Sequence, residues 1–323
     1  MIVAAAQFAP VPGDIPANVR SMAGLIHEAA ARRARLVVFG ELAATGYELG
    51  LLAADPGLWP APDDPRLARV REACRATSTA AVVNCAAPTD GGRPAIASLV
   101  IGPDGALIAR YDKRHLHGAE NDVFAAGSAD GRFTLDGVRF ALAVCYDNRF
   151  PEVAGRAGAD GCQVYVASSA LDVGNDSFES VYPVRARDNG LWVVLGNLVG
   201  PSTEAGECAG GSAVWGPDGT LLATAGSDAP GLAVAELPLG RRLPAGGARV
   251  EGLAQRGSAA WRRRGGRQGD VTRMFQPRRR AWRSGPGRSR RRGPRPGRSR
   301  QRWRQASPPW TAASSRPRLP CPR

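Results

Sequence analysis

The chain changes character once, after Leu239, and that break decides how much of it can fold. Before it, apolar residues recur with strand and helix periods. After it, Arg, Gly, Pro and Ser dominate and the periodicity stops. Residues 241–323 carry 25 arginines against two acids, Glu251 and Asp270, whereas residues 1–240 carry 18 basic and 27 acidic residues. The formal charge of +14 therefore averages an acidic body and a strongly basic tail. Like-charge runs such as Arg262–Arg264 and Arg290–Arg292 cannot pack together, and a segment that buries so little apolar surface cannot offset the entropy of ordering. The expected organisation is one folded domain over residues 1–239 and an Arg/Gly/Pro-rich disordered tail over 240–323.

The body is apolar enough to build a sizeable core, the whole chain being 43% hydrophobic. Its cysteines are scattered, with no C-x-x-C pair and no spacing of a zinc site, which points to a reducing compartment and no metal. The N-terminus shows no signal-peptide pattern, and no apolar run approaches the roughly 18 residues of a membrane span. A cytoplasmic protein without membrane partners is expected. One count stands out: Lys113 is the single lysine among 43 basic residues. Where Arg has replaced Lys almost everywhere, a surviving Lys marks a place for a compact ammonium that a planar guanidinium would not fit.

The periodicities predict strands over 2–8, 36–39, 80–86, 163–167, 192–195, 212–215, 221–224 and 232–235. Helices are predicted over 18–33, 65–77, 150–159 and 178–189; Pro183 fits the last only within its first turn. Asp104-Gly105 and Asp136-Gly137 mark hairpins joining 95–101 to 106–111 and 133–135 to 138–145. Strands mixed with helices and hairpins imply an α/β fold with mixed sheets covered by helices.

Three segments place a reactive residue just after a predicted strand. In the first, Leu36-Val37-Val38-Phe39-Gly40 leads into Glu41, with Thr45-Gly46-Tyr47 following. In the second, Lys113 precedes Arg114-His115-Leu116-His117, with Glu120 close behind. In the third, Val144 leads into Cys145-Tyr146-Asp147-Asn148-Arg149-Phe150-Pro151-Glu152. Amide cleavage needs a nucleophile, a base and support for the oxyanion. An ordinary thiol, with a pKa of about 8.5, is mostly protonated at neutral pH, so an ammonium and a carboxylate are natural companions for it.

Taken in order and spacing, these segments resemble the signature blocks of the nitrilase (carbon–nitrogen hydrolase) superfamily. Arg185-Ala186-Arg187-Asp188-Asn189 and the Gly210–Gly219 segment are similar to two later family blocks, so the resemblance covers residues 1 to about 239. It implies a four-layer α-β-β-α sandwich and a cofactor-free acyl-enzyme hydrolysis of a small non-peptide C–N bond. Amide is favoured, with carbamoyl amide and nitrile as alternatives. It further implies Cys145 as nucleophile, Glu41 as general base, and Lys113 with the N–H of Tyr146 as oxyanion support. Glu120 would orient Lys113 and substrate. Candidates for binding a small-molecule amide are Tyr47, Arg149, Ser168, Ser169 and Asn175, Arg149 through a substrate carboxylate. Gly40 stands where the family has proline, which predicts a looser hold on Glu41.

Bland readings compete. Asp147, Arg149 and Glu152 can form a structural ion-pair cluster, and His115 and His117 are read as structural rather than as metal ligands. A papain-like site is excluded by order, since His27, His115 and His117 all precede Cys145. No G-x-S-x-G elbow or nucleotide fingerprint is present. The tail supports a rival of another class, nucleic-acid binding through its arginines and Trp261, Trp282, Trp303 and Trp310, with an inactive hydrolase domain. A GC-rich gene read out of frame gives the same composition. The family's usual C-terminal segments, which carry dimer contacts, are unrecognisable here; a native terminus would imply a homodimer.

Overall fold

A strand that is apolar at every position must be covered on both faces, and segments such as 36–39 and 80–83 read that way. The computed structural model describes residues 1–227 and 230–239. The expectations of a disordered tail, a shifted frame and tail-borne nucleic-acid binding lie outside these residues.

The described residues form strands β1 (Ile2–Gln7), β2 (Leu36–Val38), β3 (Ala80–Ala87), β4 (Ala95–Ile101), β5 (Leu107–Asp112), β6 (Gly131–Leu135), β7 (Val138–Val144), β8 (Val164–Ser169), β9 (Trp192–Asn197), β10 (Val199–Ser202), β11 (Gly206–Ala209), β12 (Ala213–Trp215), β13 (Leu221–Thr224) and β14 (Gly231–Glu236). The helices are α1 (Ile15–Ala31), α2 (Leu49–Ala54), α3 (Ala68–Thr77), α4 (Glu120–Val123), α5 (Pro151–Ala159), α6 (Ser177–Ser180) and α7 (Tyr182–Asn189). None is long and apolar enough to cross a membrane.

Two six-stranded sheets result, ordered β14-β1-β2-β3-β4-β5 and β13-β12-β9-β8-β7-β6, with β10 and β11 as a separate hairpin. Each sheet has three parallel strands, β1-β2-β3 in one and β7-β8-β9 in the other, flanked by antiparallel ones. Parallel strands need crossovers, and α1, α3, α5 and α7 supply them.

The period of two sorts each strand between two cores. In β3, Ala81, Val83 and Cys85 join Val19, Met22, Ile26 and Val70 under α1 and α3. Ala80, Val82 and Ala86 face the other way, against Phe140, Leu142, Val144 and Val166 of the second sheet. The far face of that sheet packs Ala141, Ala143, Tyr165 and Ala167 against Val153, Ala154 and Ala157 of α5 and Ala186 of α7. The layers are helix, sheet, sheet, helix, as the sequence implied.

Element ends follow local chemistry. The Asp14 carboxylate accepts from the Ala17 N–H at 2.9 Å and Pro16 fills the first turn, so α1 starts at Ile15 rather than at 18. The helix predicted over 178–189 is broken at Val181, and Pro183 lies in the first turn of α7, where its missing N–H costs nothing. The short helices α2 and α4 and the β10–β11 hairpin were not expected; each is too short to show a period.

Candidate active site

Glu41, Lys113 and Cys145 follow the ends of β2, β5 and β7, and the packing of the two sheets brings those ends together. The chain at Glu41 is held by its own N–H donating to the Ser169 carbonyl at 3.0 Å and by the Leu42 N–H donating to Asn84 Oδ1 at 2.6 Å. A Cβ on residue 40 would come within 2.8 Å of the backbone of Asn197 and Leu198. Gly40 is therefore fixed by close packing, and the expected looseness of Glu41 is corrected: glycine is what lets the turn sit against the second sheet.

Lys113 is fully buried. Its Nζ donates to Glu41 Oε1 at 2.7 Å and to Glu120 Oε1 and Oε2 at 2.8 and 2.7 Å. A guanidinium in this space could not reproduce three such short bonds from one nitrogen. The two carboxylates then differ. Glu120 also accepts from the Tyr47 hydroxyl at 2.6 Å and the His117 N–H at 2.8 Å, so both of its oxygens are taken up. Glu41 Oε2 is buried without a fully formed hydrogen bond, and the thiol beside that carboxyl is Cys145.

Burial pushes the Glu41 carboxyl up to about 7, with the Glu120 charge adding to the rise and Lys113 opposing it. For Lys113, burial works to lower the pKa, but Glu41, Cys145 and Glu120 raise it further, and the ammonium stays charged. Burial and the Glu41 charge together hold the Cys145 thiol above its ordinary range, against the pull of Lys113 and of the backbone N–H of Ala170. Both shifts favour the protonated thiol beside the Glu41 carboxyl.

Cys145 has φ +43°, a left-handed backbone that a side chain rarely adopts. It opens a single 3-10 turn over Cys145–Arg149. Asn148 Nδ2 donates to the Cys145 carbonyl at 2.8 Å, and Arg185 Nε donates to the Asn148 carbonyl at 2.9 Å. The sulfur borders a cavity of about 550 Å³ walled by Tyr47, His117, Tyr146, Arg149, Asn175 and Glu204, among others. Cys74, Cys85 and Cys208 are buried, with thiols pushed up to about 12 by burial, and they do not border this cavity.

Of the binding candidates, Tyr47, Arg149 and Asn175 lie in the cavity wall. Ser168 and Ser169 are buried and do not line the cavity, Ser169 paired with the Tyr182 hydroxyl at 2.8 Å. Ala170, just past the end of β8, borders the cavity, and its backbone N–H lies by the Cys145 sulfur. The ion-pair cluster of Asp147, Arg149 and Glu152 does not form either. Arg149 pairs with Asp176 at 2.6 Å, and Asp147 is buried on hydrogen-bond donors. His115 bonds Asp147, while His117 packs on Tyr146 and borders the cavity. Glu204 and Ala205, on the turn between β10 and β11, complete the wall from a hairpin that no sequence signal announced.

The carbon-nitrogen hydrolase family matches the chain over residues 2–243. The chain belongs to this family. A hydrolase from the pqqF 5′ region of Pseudomonas protegens is 31% identical over 232 residues, covering 71% of this chain and 80% of that one. The omega-amidase of Homo sapiens is 28% identical over 222 residues, covering 65% and 79%. Among solved structures, a mutant of the amidase from Nesterenkonia sp. AN1, with acrylamide added at its active-site cysteine, has a TM-score of 0.68 and 28% identity over 74% of this chain and 93% of that one. This carbon-nitrogen hydrolase has the helix-flanked, two-sheet fold of nitrilase-superfamily amidases and is a hydrolase of non-peptide C–N bonds.

Proposed function

We propose that this carbon-nitrogen hydrolase cleaves small amides through a thioester on Cys145. Glu41 takes the thiol proton as the sulfur attacks the amide carbon. The Lys113 ammonium and the N–H of Tyr146 hold the oxyanion, a contribution of about 3 kcal/mol per donor in comparable sites. The proton passes from Glu41 to the departing nitrogen, the C–N bond breaks and ammonia leaves. Water, deprotonated by Glu41, then attacks the thioester; the carboxylic acid departs and Cys145 regains its proton. Each turnover consumes one amide and one water and yields one ammonia and one acid. Glu120, Tyr47, Arg149 and Asn175 orient Lys113 and the substrate.

One observation carries this reading: the two buried carboxylates on Lys113 are unequal. Glu120 accepts four hydrogen bonds from three donor groups, while Glu41 accepts one from Lys113, keeps Oε2 without a full hydrogen bond and has the Cys145 thiol as its neighbour. A general base works best with a pKa near the working pH, and burial has moved Glu41 there. The cysteine adduct in the Nesterenkonia amidase and the amidase activity named for the human relative support the same chemistry.

The test is ammonia release by the full chain from short aliphatic amides, ω-amides of dicarboxylic acids and carbamoyl compounds, with Cys145→Ala alongside. Release from at least one class, reduced by at least about 10³-fold in Cys145→Ala, is expected. Silence from the folded wild type across the panel, or equal release by the variant, contradicts the proposal.

A further inference from the structure

Asp147 is a fully buried carboxylate outside the Lys113 cluster. Its Oδ2 accepts from the Tyr111 hydroxyl at 2.7 Å and the Val144 N–H at 2.9 Å. Its Oδ1 accepts from the His115 N–H at 2.9 Å and meets His115 Nδ1 at 2.7 Å. These partners are not scattered. Tyr111 and His115 lie two residues before and two after Lys113, and Val144 immediately precedes Cys145. The stack of His115 on Phe150, with centroids 3.9 Å apart, reinforces the same junction from outside.

We infer that Asp147 is a positioning residue that sets the sulfur of Cys145 against the ammonium of Lys113, a role that rests on the function proposed above. Lys113 is fastened to the first sheet through its N–H on the Ile96 carbonyl. Cys145 rides on the second sheet, in a backbone conformation that needs outside support. The Asp147 carboxylate spans the seam between them and binds both strands beside their functional residues. An ionised carboxylate accepts at once from the Tyr111 hydroxyl and the N–H groups of Val144 and His115, and from His115 Nδ1 in the tautomer that carries its proton there. An amide in its place turns an N–H₂ toward the Val144 and Tyr111 donors or toward His115, and releases one side of the seam. Displacement of a reacting group by about 1 Å can cost about 10²-fold in rate.

Asp147→Asn and the milder Tyr111→Phe are compared with wild type at a temperature where each is folded by circular dichroism. Two readouts are used: kcat and KM on an amide the wild type hydrolyses, and the pH dependence of iodoacetamide labelling at Cys145, followed by peptide mass. A merely structural carboxylate lowers the melting temperature and leaves both readouts unchanged. The inference predicts kcat lower by about 10²-fold in Asp147→Asn and several-fold in Tyr111→Phe, with KM within about threefold. It also predicts a labelling midpoint moved to higher pH as the ammonium draws away from the sulfur. Wild-type kcat and an unmoved midpoint in folded Asp147→Asn overturn it; if that variant does not fold, the same result in Tyr111→Phe does. A wild type that labels at Cys145 but releases no ammonia refutes the proposed reaction instead, and the labelling midpoints still decide the placement of the sulfur.

Discussion

The two sheets hold their functional residues in opposite ways. The first sheet carries Glu41 and Lys113, both fully buried and fixed by each other's charge and by Glu120. The second carries Cys145, part-buried on a strained turn and fixed through its backbone by Asn148, Asp147 and, one step removed, Arg185. The contrast follows from what each group must do. Charges removed from water need partners at hydrogen-bond distance, and the low dielectric then makes them strong. In the proposed reaction Cys145 must meet the substrate, which fits its place at the cavity and a hold through the backbone rather than through its own side chain. The site exists only where the sheets pack face to face.

The comparison can be broken at its charged half first. Replacing Lys113 with Met leaves Glu41 and Glu120 facing each other in the interior. Stability should fall by about 3–5 kcal/mol by chemical denaturation, and ammonia release should be lost with it. A folded, active Lys113→Met would mean that the first sheet's charges are ornamental.

Glu41→Gln comes next and sharpens the assignment of the base. Its kcat should drop about 10²–10⁴-fold. In wild type, Glu41 must be ionised to accept the thiol proton, so kcat/KM should rise about tenfold per pH unit below about 7 and level off above it. The same rise in pKa has a stability consequence. The folded state favours the protonated carboxyl, so this group's contribution is full below about 4.5 and is lost as pH rises through about 7. Thermal midpoints of wild type should therefore fall relative to Glu41→Gln across that window. Parallel midpoints would place the titration elsewhere.

The smallest effect concerns the turn that lets the two halves meet. Gly40→Ala would press a methyl against the backbone of Asn197 and Leu198, and about 1–3 kcal/mol of destabilisation is expected from the denaturation midpoint. Full stability would show that this seam is looser than the packing indicates.

Much of this was legible in the sequence because the reactive residues sit directly at strand ends, where a local motif and an element boundary coincide. Glu41, Lys113 and Cys145 were named from their flanking residues, and Lys113 stood out as a lysine in an arginine-rich chain. The four-layer order is what the family resemblance implies, and the mixed order of strands and helices agrees with it. What escaped lies in pairings between distant segments. The Asp147 bonds span 36 residues to Tyr111 and 32 to His115, and no spacing rule links them. Ser168 and Ser169 belong to a strand that ends beside the site, but the pleat and the Tyr182 hydroxyl take them into the core, leaving Ala170 at the cavity. Glu204 arrives on a hairpin whose strands are four residues each.

The most direct test of the joint site is acid quenching of the full chain during turnover of a hydrolysed amide, followed by peptide mapping. The account predicts the acyl group on Cys145, displacing the thiol hydrogen, with one ammonia released per acyl group in the first turnover. Steady ammonia release with Cys145 unmodified at every quench time, and undiminished in Cys145→Ala, would contradict it.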